Sequence, residues 1–282
     1  MIVSELCIYP LKSGRGINLQ QAQINARGFL WDREMMLVSG SGKFITQRQF
    51  PQLAKVKTEI AEQKIVLSSE DSATSLSVDL ICSDPTPIKV EIWRDRVLAI
   101  DLGDEAAQWF HQLLDLPEDR VCRLVRQSPD EVRLLDKKYS QDEDRPLGFA
   151  DNSPAMLTAT ASLDELNQRI VEIHQQPSQA IPMNRFRPNI TIETTEPFIE
   201  DSWSLIQIGA IQFRVTKPCS RCIITTIDRD RGSRNQLKEP LNTLETFRQL
   251  SEQGVMFGVN MIPLNEGVIK KGDRILILET RG

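Results

Sequence analysis

The sequence predicts a strand-dominated α+β fold, and two observations lead to that prediction. Residues 1–100 contain short runs rich in β-branched side chains and separated by turn residues, a pattern typical of strands. The later part of the chain mixes such runs with a few stretches whose apolar residues recur at helical spacing. We therefore expect a small barrel or sandwich at residues 1–125 and a mixed, strand-rich domain at residues 126–282.

Turn residues between apolar runs define the expected elements of the first half. Met35–Val38 and Phe44–Thr46 flank Gly40-Ser41-Gly42, which predicts a hairpin. Asp104 is expected to cap a helix that ends before Pro117. The other strands expected in this half are Ile2–Ile8, Lys64–Ser68, Ser75–Leu80 and Ile88–Trp93.

The second half is expected to combine helices with strands. Ser162 and Glu165 have the spacing of a capping box, which predicts the start of a helix. A last helix is expected to hold Leu241, Leu244 and Phe247 on one face. The strands expected here are Asn189–Glu193, Leu205–Ile208, Ala210–Val215, Cys222–Ile227 and Ile275–Leu278.

One long segment, Tyr139–Asn152, has no periodicity and is polar and acidic. A segment of this kind is either a connection between two domains or a loop over a functional site. Both interpretations are open at this point.

Composition excludes several classes of protein. The chain has 282 residues, of which 40% are hydrophobic and 26% are charged, as is ordinary for a soluble globular protein. A net charge of -5 gives no general attraction to nucleic acid, and no apolar run approaches the ~20 residues that span a bilayer. The N-terminus lacks the layout of a signal peptide, and an odd number of cysteines, five, fits a reducing compartment. We therefore expect a cytoplasmic protein that binds neither nucleic acid nor membrane.

The most informative stretch holds two thiols three positions apart, Cys219 and Cys222, beside Lys217 and Arg221. Nearby cations stabilise a thiolate, which is the form of cysteine that acts as a nucleophile or a metal ligand. A reactive or metal-bound cysteine is therefore the first hypothesis for this segment.

Several interpretations of the cysteine pair compete. A structural zinc site normally needs a second pair of ligands, and Cys7, Cys82 and Cys122 are scattered singly along the sequence. A thioredoxin-like pair would open a helix, whereas a β-branched run follows Cys222. Two small packed residues, or one thiolate on a metal that brings its other ligands, are the remaining possibilities.

Basic residues next to small or hydroxyl residues suggest anion binding at three strand ends. Lys12-Ser13-Gly14-Arg15-Gly16 offers cations and glycines that can turn backbone N–H groups toward a phosphate, without the spacing of a nucleotide P-loop. Asp32-Arg33 and Arg185–Asn189 each precede an expected strand and carry the planar donors that suit phosphate. Taken singly, a segment of this kind is more often a solvated surface charge than a binding site.

Eight segments, taken in chain order, carry a resemblance that covers nearly the whole chain. They are Ile8-Tyr9-Pro10-Leu11-Lys12-Ser13, Trp31-Asp32-Arg33, Ile45-Thr46-Gln47-Arg48, Asp151-Asn152-Ser153-Pro154, Asn184-Arg185-Phe186-Arg187-Pro188-Asn189, Cys219-Ser220-Arg221-Cys222, Thr225-Thr226-Ile227-Asp228 and Gly272-Asp273. Together they resemble the MOSC-domain proteins of the mitochondrial amidoxime-reducing component family and their bacterial relatives. MOSC stands for the molybdenum cofactor sulfurase C-terminal domain.

The resemblance implies an N-terminal β-barrel-like domain followed by a MOSC β-barrel domain with peripheral helices. In such proteins the two domains enclose a molybdenum cofactor, in which a pyranopterin dithiolene holds the metal. Cys222 is implied to be the catalytic residue and the protein ligand of the metal, and Cys219 is not a ligand. Soft sulfur ligands agree with the preferences of such a metal. The residues implied to contact the cofactor are Lys12, Ser13, Arg33, Ser153, Arg187, Asn189, Ser220, Arg221 and Asn260.

The resemblance further implies an oxidoreductase, independent of pyridoxal phosphate, that reduces small N-hydroxylated compounds of the amidoxime type. Its electrons would come from a separate donor protein, ferredoxin-like or a b-type cytochrome. The alternative is a non-catalytic carrier of molybdenum cofactor or of sulfur. We expect no membrane attachment and no C-terminal ferredoxin-like extension. Asn260 stands where the mitochondrial proteins would have an aromatic residue, so the pocket is expected to differ there.

Overall fold

The computed structural model describes residues 1–61, 64–79, 86–129, 131–140, 144–251 and 253–281. The expected strand end at Leu80, the single Cys82 and positions 141–143 of the acidic segment lie outside the described residues.

Strands dominate the described part of the chain. Those of the first half are β1 (Ile2–Ile8), β2 (Ile17–Leu19), β3 (Gln21–Asn25), β4 (Gly28–Phe29), β5 (Met35–Ser39), β6 (Phe44–Ile45), β7 (Lys57–Ala61), β8 (Lys64–Ser68), β9 (Leu76–Asp79), β10 (Thr86–Ile92), β11 (Asp95–Asp101) and β12 (Cys122–Gln127). Those of the second half are β13 (Arg133–Leu134), β14 (Pro146–Leu147), β15 (Ala155–Ala159), β16 (Ile190–Glu193), β17 (Trp203–Ile208), β18 (Ile211–Ser220), β19 (Ile227–Asp228), β20 (Ser233–Arg234), β21 (Gln249–Leu250), β22 (Gly254–Pro263), β23 (Gly267–Lys270) and β24 (Ile275–Thr280). The predicted strand-rich α+β fold is confirmed.

Helices are few and lie beside the sheets. The α-helices are α1 (Asp104–Leu113), α2 (Lys137–Ser140), α3 (Thr160–His174) and α4 (Leu241–Arg248). Short 3-10 helices occupy Pro51–Lys55, Pro177–Gln179, Met183–Arg185, Ile199–Ser202 and Ile223–Thr226. No helix of the described residues is long and apolar enough to cross a membrane.

A nine-stranded sheet joins the two ends of the chain. Its order is β2-β1-β16-β15-β22-β18-β17-β24, with β21 paired to β22 outside this path. The sheet curls so that the segment before β24 meets β1, where Val3 N–H donates to the Asp273 carbonyl at 2.9 Å. Strand β1, from the N-terminus, is thereby built into a sheet whose other long strands come from the second half.

The curled sheet encloses one core, and a second core lies beneath α1. Large apolar side chains such as Trp203 and Phe213 are fully buried in the first. Phe110 of α1 and Leu124 of β12 belong to the second, which packs against the five-stranded sheet β10-β11-β12-β5-β6. Each fully buried Leu, Ile or Phe contributes roughly 1.5–3 kcal/mol to the free energy of unfolding. The two cores therefore stabilise the sheets from which the loops between them extend.

Several sequence expectations hold. β5 and β6 pair as the predicted hairpin, and α4 is the predicted last helix. The predicted boundary between residues 125 and 126 falls within β12, and the division of the chain into folding units stays a prediction.

Two helix starts differ from the expectations. Gly103 occupies the N-cap of α1, so that Asp104 is the first helical residue. Helix α3 begins at Thr160, which places Ser162 inside the helix instead of at its cap. The Ser162 hydroxyl donates to Glu200 at 3.0 Å, and Glu165 pairs with Arg169 one turn on. The buried Glu200 carboxyl thus binds the Ser162 hydroxyl, which the local sequence pattern assigns to a capping box.

Glu200 is a buried acid that links folding to pH. Burial raises the pKa of its carboxyl from the ordinary 4.5 to about 7. The folded state therefore binds a proton more tightly than the unfolded state, so this stabilisation is complete below pH 4.5 and is lost as pH rises through 7.

We expect the wild-type free energy of unfolding to decrease between pH 4.5 and 7, and Glu200→Gln to remove most of that slope because an amide does not titrate. Urea unfolding at a series of pH values measures the slope. The exposed Glu196→Gln is the control and should keep it. An unchanged slope in Glu200→Gln would show that another group is responsible.

Candidate functional site

A cavity of about 140 Å³ opens where loops from the first half meet strands of the second half. All of the site residues predicted from the sequence line it: Lys12, Ser13, Arg33, Ser153, Arg187, Asn189, Ser220, Arg221, Cys222 and Asn260. Their roles stay predictions, but the fold brings segments from six separate parts of the chain to one place. The end of the acidic segment, at Asp151 and Asn152, also lines this cavity.

The loop after β1 supplies a buried cation and a strained serine. Lys12 Nζ donates to the Phe149 carbonyl at 2.8 Å and forms an ion pair with Asp151. Burial lowers the pKa of Lys12, and the attraction of Asp151 offsets only part of this effect. Ser13 has a φ of 74°, a left-handed conformation that costs energy for a residue with a Cβ. Backbone strain of this kind often accompanies functional sites.

Two partly buried arginines stand over the ring of Tyr9. The guanidinium carbons of Arg33 and Arg187 lie 4.4 and 4.2 Å from the ring centroid, as in cation–π contacts. Both residues adopt positive φ values, 50° and 56°. Burial, followed by repulsion from Arg33, lowers the pKa of Arg187 to about 10. Asp32 pairs with Arg33, so one carboxylate faces two cations and an anionic ligand would be favoured here.

Asn189 holds this cluster together. Its Oδ1 accepts from Arg33 Nη1 at 3.2 Å and from the Met156 N–H at 3.2 Å. Its Nδ2 donates to the Cys7 carbonyl at 3.1 Å. The side-chain amide thus aligns Arg33 and β15 at the cavity wall.

The chain around the cysteine pair differs from the sequence expectation. Strand β18 continues to Ser220, beyond the expected end at Val215, so Cys219 lies in this strand. Cys222 is followed by a 3-10 helix, Ile223–Thr226, and the predicted strand Cys222–Ile227 is wrong. The hydroxyls of Thr225 and Thr226 donate back to carbonyls three residues earlier, at 2.9 and 2.7 Å. Such local bonds outweigh the β preference of threonine and isoleucine.

Each thiol of the pair receives a hydrogen bond from a different arginine. Arg221 Nη1 lies 2.9 Å from Cys219 Sγ, and Arg48 Nη2 lies 3.2 Å from Cys222 Sγ. Arg48 is absent from the predicted site, as are Thr46, Asp151, Met156 and Phe186, all of which line the cavity. The rule used for the other cations, a basic residue near a hydroxyl residue at a strand end, would also have selected Arg48.

Two hydroxyls at the cavity are already bonded to the protein, and two buried donors are not. Ser153 Oγ donates to the Met261 carbonyl at 2.7 Å, and Ser220 Oγ donates to the Gln253 carbonyl at 2.9 Å. Arg221 Nε and Asn260 Nδ2 are buried and have no partner within the described ranges. A ligand with acceptor atoms would satisfy donors that are otherwise costly to bury.

The side chains that line the cavity suit an anionic ligand that also binds a soft metal. Lys12, Arg33 and Arg187 bring positive charge to the cavity, and the Cys222 thiol lines it as a candidate soft ligand. Across the residues that the structure describes, no group of three or more His, Cys, Asp or Glu side chains is placed to hold a metal ion.

Comparison with known protein families agrees with this architecture. Residues 1–117 match the MOSC N-terminal beta barrel domain, and residues 144–276 match the MOSC domain. The chain is therefore a two-domain MOSC protein.

Three curated relatives span most of the chain. It is 31% identical to the human mitochondrial amidoxime-reducing component 1, over 98% of this chain and 82% of that protein. It is also 31% identical to the bovine mitochondrial amidoxime reducing component 2, over 97% of this chain and 82% of that protein. The rice molybdenum cofactor sulfurase is 28% identical over 91% of this chain and 32% of its own length. The chain belongs to the MOSC-domain family that includes the mitochondrial amidoxime-reducing components.

We expect phosphate to raise the melting temperature of metal-free protein by a few degrees at constant ionic strength, because an anion offsets the charge of Arg33 and Arg187. Arg187→Met should reduce that rise. Arg15→Met is the control, since Arg15 pairs with Asp230 outside this cavity. Differential scanning calorimetry measures the shift, and equal rises in wild type and Arg187→Met would contradict the assignment.

Proposed function

We propose that this protein is a molybdenum-dependent oxidoreductase that reduces N-hydroxylated, amidoxime-type compounds. The supporting observation is the position of Cys222, whose thiol lines a cavity that also contains one buried and two partly buried cations, Lys12, Arg33 and Arg187. A soft thiolate suits molybdenum, and the cations suit the phosphate of a pterin cofactor. The names of the amidoxime-reducing relatives, matched over nearly the whole chain, favour the same reaction.

The cavity residues divide into three tasks. Cys222 would hold the metal. Lys12, Ser13, Arg33 and Arg187 would bind the cofactor's phosphate. The residues left to contact the pterin are Ser153, Asn189, Ser220, Arg221 and Asn260, of which Arg221 and Asn260 have free buried donors.

The proposed reaction balances with two electrons and two protons, which convert an amidoxime into an amidine and water. When bound, the cofactor would supply the redox centre that removes the oxygen atom. The protein would fix that centre in place, exclude water with the walls of the cavity and present substrate to it. We further propose that a separate donor protein, ferredoxin-like or a b-type cytochrome, supplies the electrons.

The second candidate function is a carrier of molybdenum cofactor or of sulfur. It is favoured by the similarity to the rice molybdenum cofactor sulfurase over 91% of this chain. In that case Cys222 would carry a persulfide or bind the cofactor transiently, and no N-hydroxylated compound would be reduced.

The two cysteines provide the test. Protein from a host that makes the cofactor should contain about one molybdenum per chain and, with reduced viologen as donor, should convert benzamidoxime to benzamidine. Cys222→Ala should lose at least two orders of magnitude in turnover, because a protein that lacks the metal ligand neither tunes the electronic properties of the metal nor retains it. Cys219→Ala should keep most of the turnover, since its thiol bonds to Arg221 instead.

Metal analysis and product chromatography on the same samples distinguish the candidates. Equal turnover in both variants would contradict the role of Cys222. A wild-type protein that holds molybdenum, reduces nothing and donates its cofactor to an apo-enzyme would support the carrier.

A further inference from the structure

Arg48 contacts the thiol of Cys222 from a distant part of the chain. The two residues are 174 positions apart, and Arg48 Nη2 lies 3.2 Å from Cys222 Sγ. Arg48 follows β6 within the N-terminal barrel domain, whereas Cys222 belongs to the MOSC domain. The contact therefore forms only when the two domains are assembled.

Neighbouring groups hold the Arg48 side chain and backbone in place. The guanidinium carbon lies over the Trp93 ring, 5.0 Å from its centroid. Arg234 Nη2 donates to the Arg48 carbonyl at 2.6 Å. A cation held on a ring face keeps its planar fork of donors in a fixed direction.

Trp93 is itself held in an unusual way. It lies in the turn between β10 and β11 with a φ of 57°, and 42% of its surface is exposed. Its Nε1 donates to Asp151 at 3.0 Å, and its ring centroid is 5.0 Å from that of Phe44. A strained backbone that keeps an indole exposed beside a cavity indicates a function for that side chain.

The positive charge of Arg48 is available to the sulfur. Within the described part of the chain, Arg48 forms no direct ion pair: the nearby Asp151 carboxylate pairs with Lys12 and is attracted to Arg48 only at longer range. The other nearby thiol, on Cys219, has its own donor in Arg221, 2.9 Å away. Arg48 is thus the cation directed at Cys222.

We propose that Arg48 is a positioning residue for the Cys222 thiolate and that it raises the reduction potential of the metal bound there. This inference rests on the proposed function. A hydrogen bond from a cation fixes the direction of the sulfur lone pairs and withdraws electron density from the sulfur. Hydrogen bonds to ligating sulfurs are a recognised means by which proteins set the potential of a metal centre.

Three variants and a control isolate this role. Arg48→Met keeps length and loses charge and donors, and Arg48→Lys keeps the charge without the planar fork. Trp93→Phe keeps a ring beneath Arg48 and loses the bond to Asp151. Arg94→Met removes an exposed arginine one position from Trp93 and is the matched control.

The first readout is the midpoint potential of the loaded proteins, from a redox titration followed by electron paramagnetic resonance. Arg48→Met should favour the oxidised metal at least tenfold more than wild type does, which is a fall of about 59 mV for a one-electron couple. Arg48→Lys and Trp93→Phe should shift less, and Arg94→Met should not shift. A wild-type potential in Arg48→Met at full metal content would overturn the proposal.

The second readout needs no metal. Mass spectrometry follows the alkylation of Cys222 by iodoacetamide in metal-free protein at one pH. The rate of alkylation should be several-fold lower in Arg48→Met than in wild type and partly restored in Arg48→Lys. Alkylation of Arg48→Met at the wild-type rate would overturn the role of Arg48. If alkylation is slower in Arg48→Met but the protein never binds molybdenum, the contact between Arg48 and Cys222 is supported and the proposed function is rejected. If Arg48→Met cannot retain metal, Arg48→Lys and the alkylation rates decide the outcome.

Discussion

The cluster of Arg33, Arg187 and Tyr9 is the interaction on which the rest of the site depends. Burying two guanidinium groups side by side is unfavourable unless their charges and donors are satisfied. Tyr9 offers its ring to both, and Asp32 and Asn189 accept from Arg33. The Tyr9 N–H donates to Asp32 at 2.7 Å, which ties the cluster to the segment just after β1. The two arginines adopt left-handed backbone conformations, so packing around them must offset strain as well as charge.

That cluster couples the architecture to the chemistry. Strand β1 pairs with β16. The segment after β1 contains Lys12, the segment before β16 contains Arg187, and both side chains line the same cavity. The MOSC domain contributes Cys222, whereas the N-terminal domain contributes Arg48. A site assembled from both domains is sensitive to any change that separates them. The buried donors of Arg221 and Asn260 add a reason for the cavity to hold a ligand.

Much of the site could be predicted because short motifs resemble those of MOSC-domain proteins, and the resemblance agrees with the anion-binding character of several of their residues. The cations after β1 and before β16 stand beside hydroxyl or small residues, and the cysteine pair stands between cations. The strands and the β5–β6 hairpin follow from β-branched runs and glycine turns. The wrong predictions concern places where a hydrogen bond outweighs the local secondary-structure propensity. Ser162 bonds to the distant Glu200 and lies inside α3 instead of at its cap. After Cys222, the hydroxyls of Thr225 and Thr226 bond to nearby carbonyls and favour a 3-10 helix over a strand.

The sequence by itself determined the strand-rich class and, through motifs that resemble those of MOSC-domain proteins, the family and the cationic, hydroxyl and thiol groups expected at the site, because short motifs are local properties of a chain. Only the tertiary structure decided which arginine meets which sulfur. Arg221 is the neighbour of Cys222 in sequence, yet its guanidinium contacts Cys219. Cys222 is reached instead by Arg48, held over Trp93 in the other domain. Pairing across 174 positions depends on how two cores and a shared sheet bring loops together, and no local pattern encodes that distance.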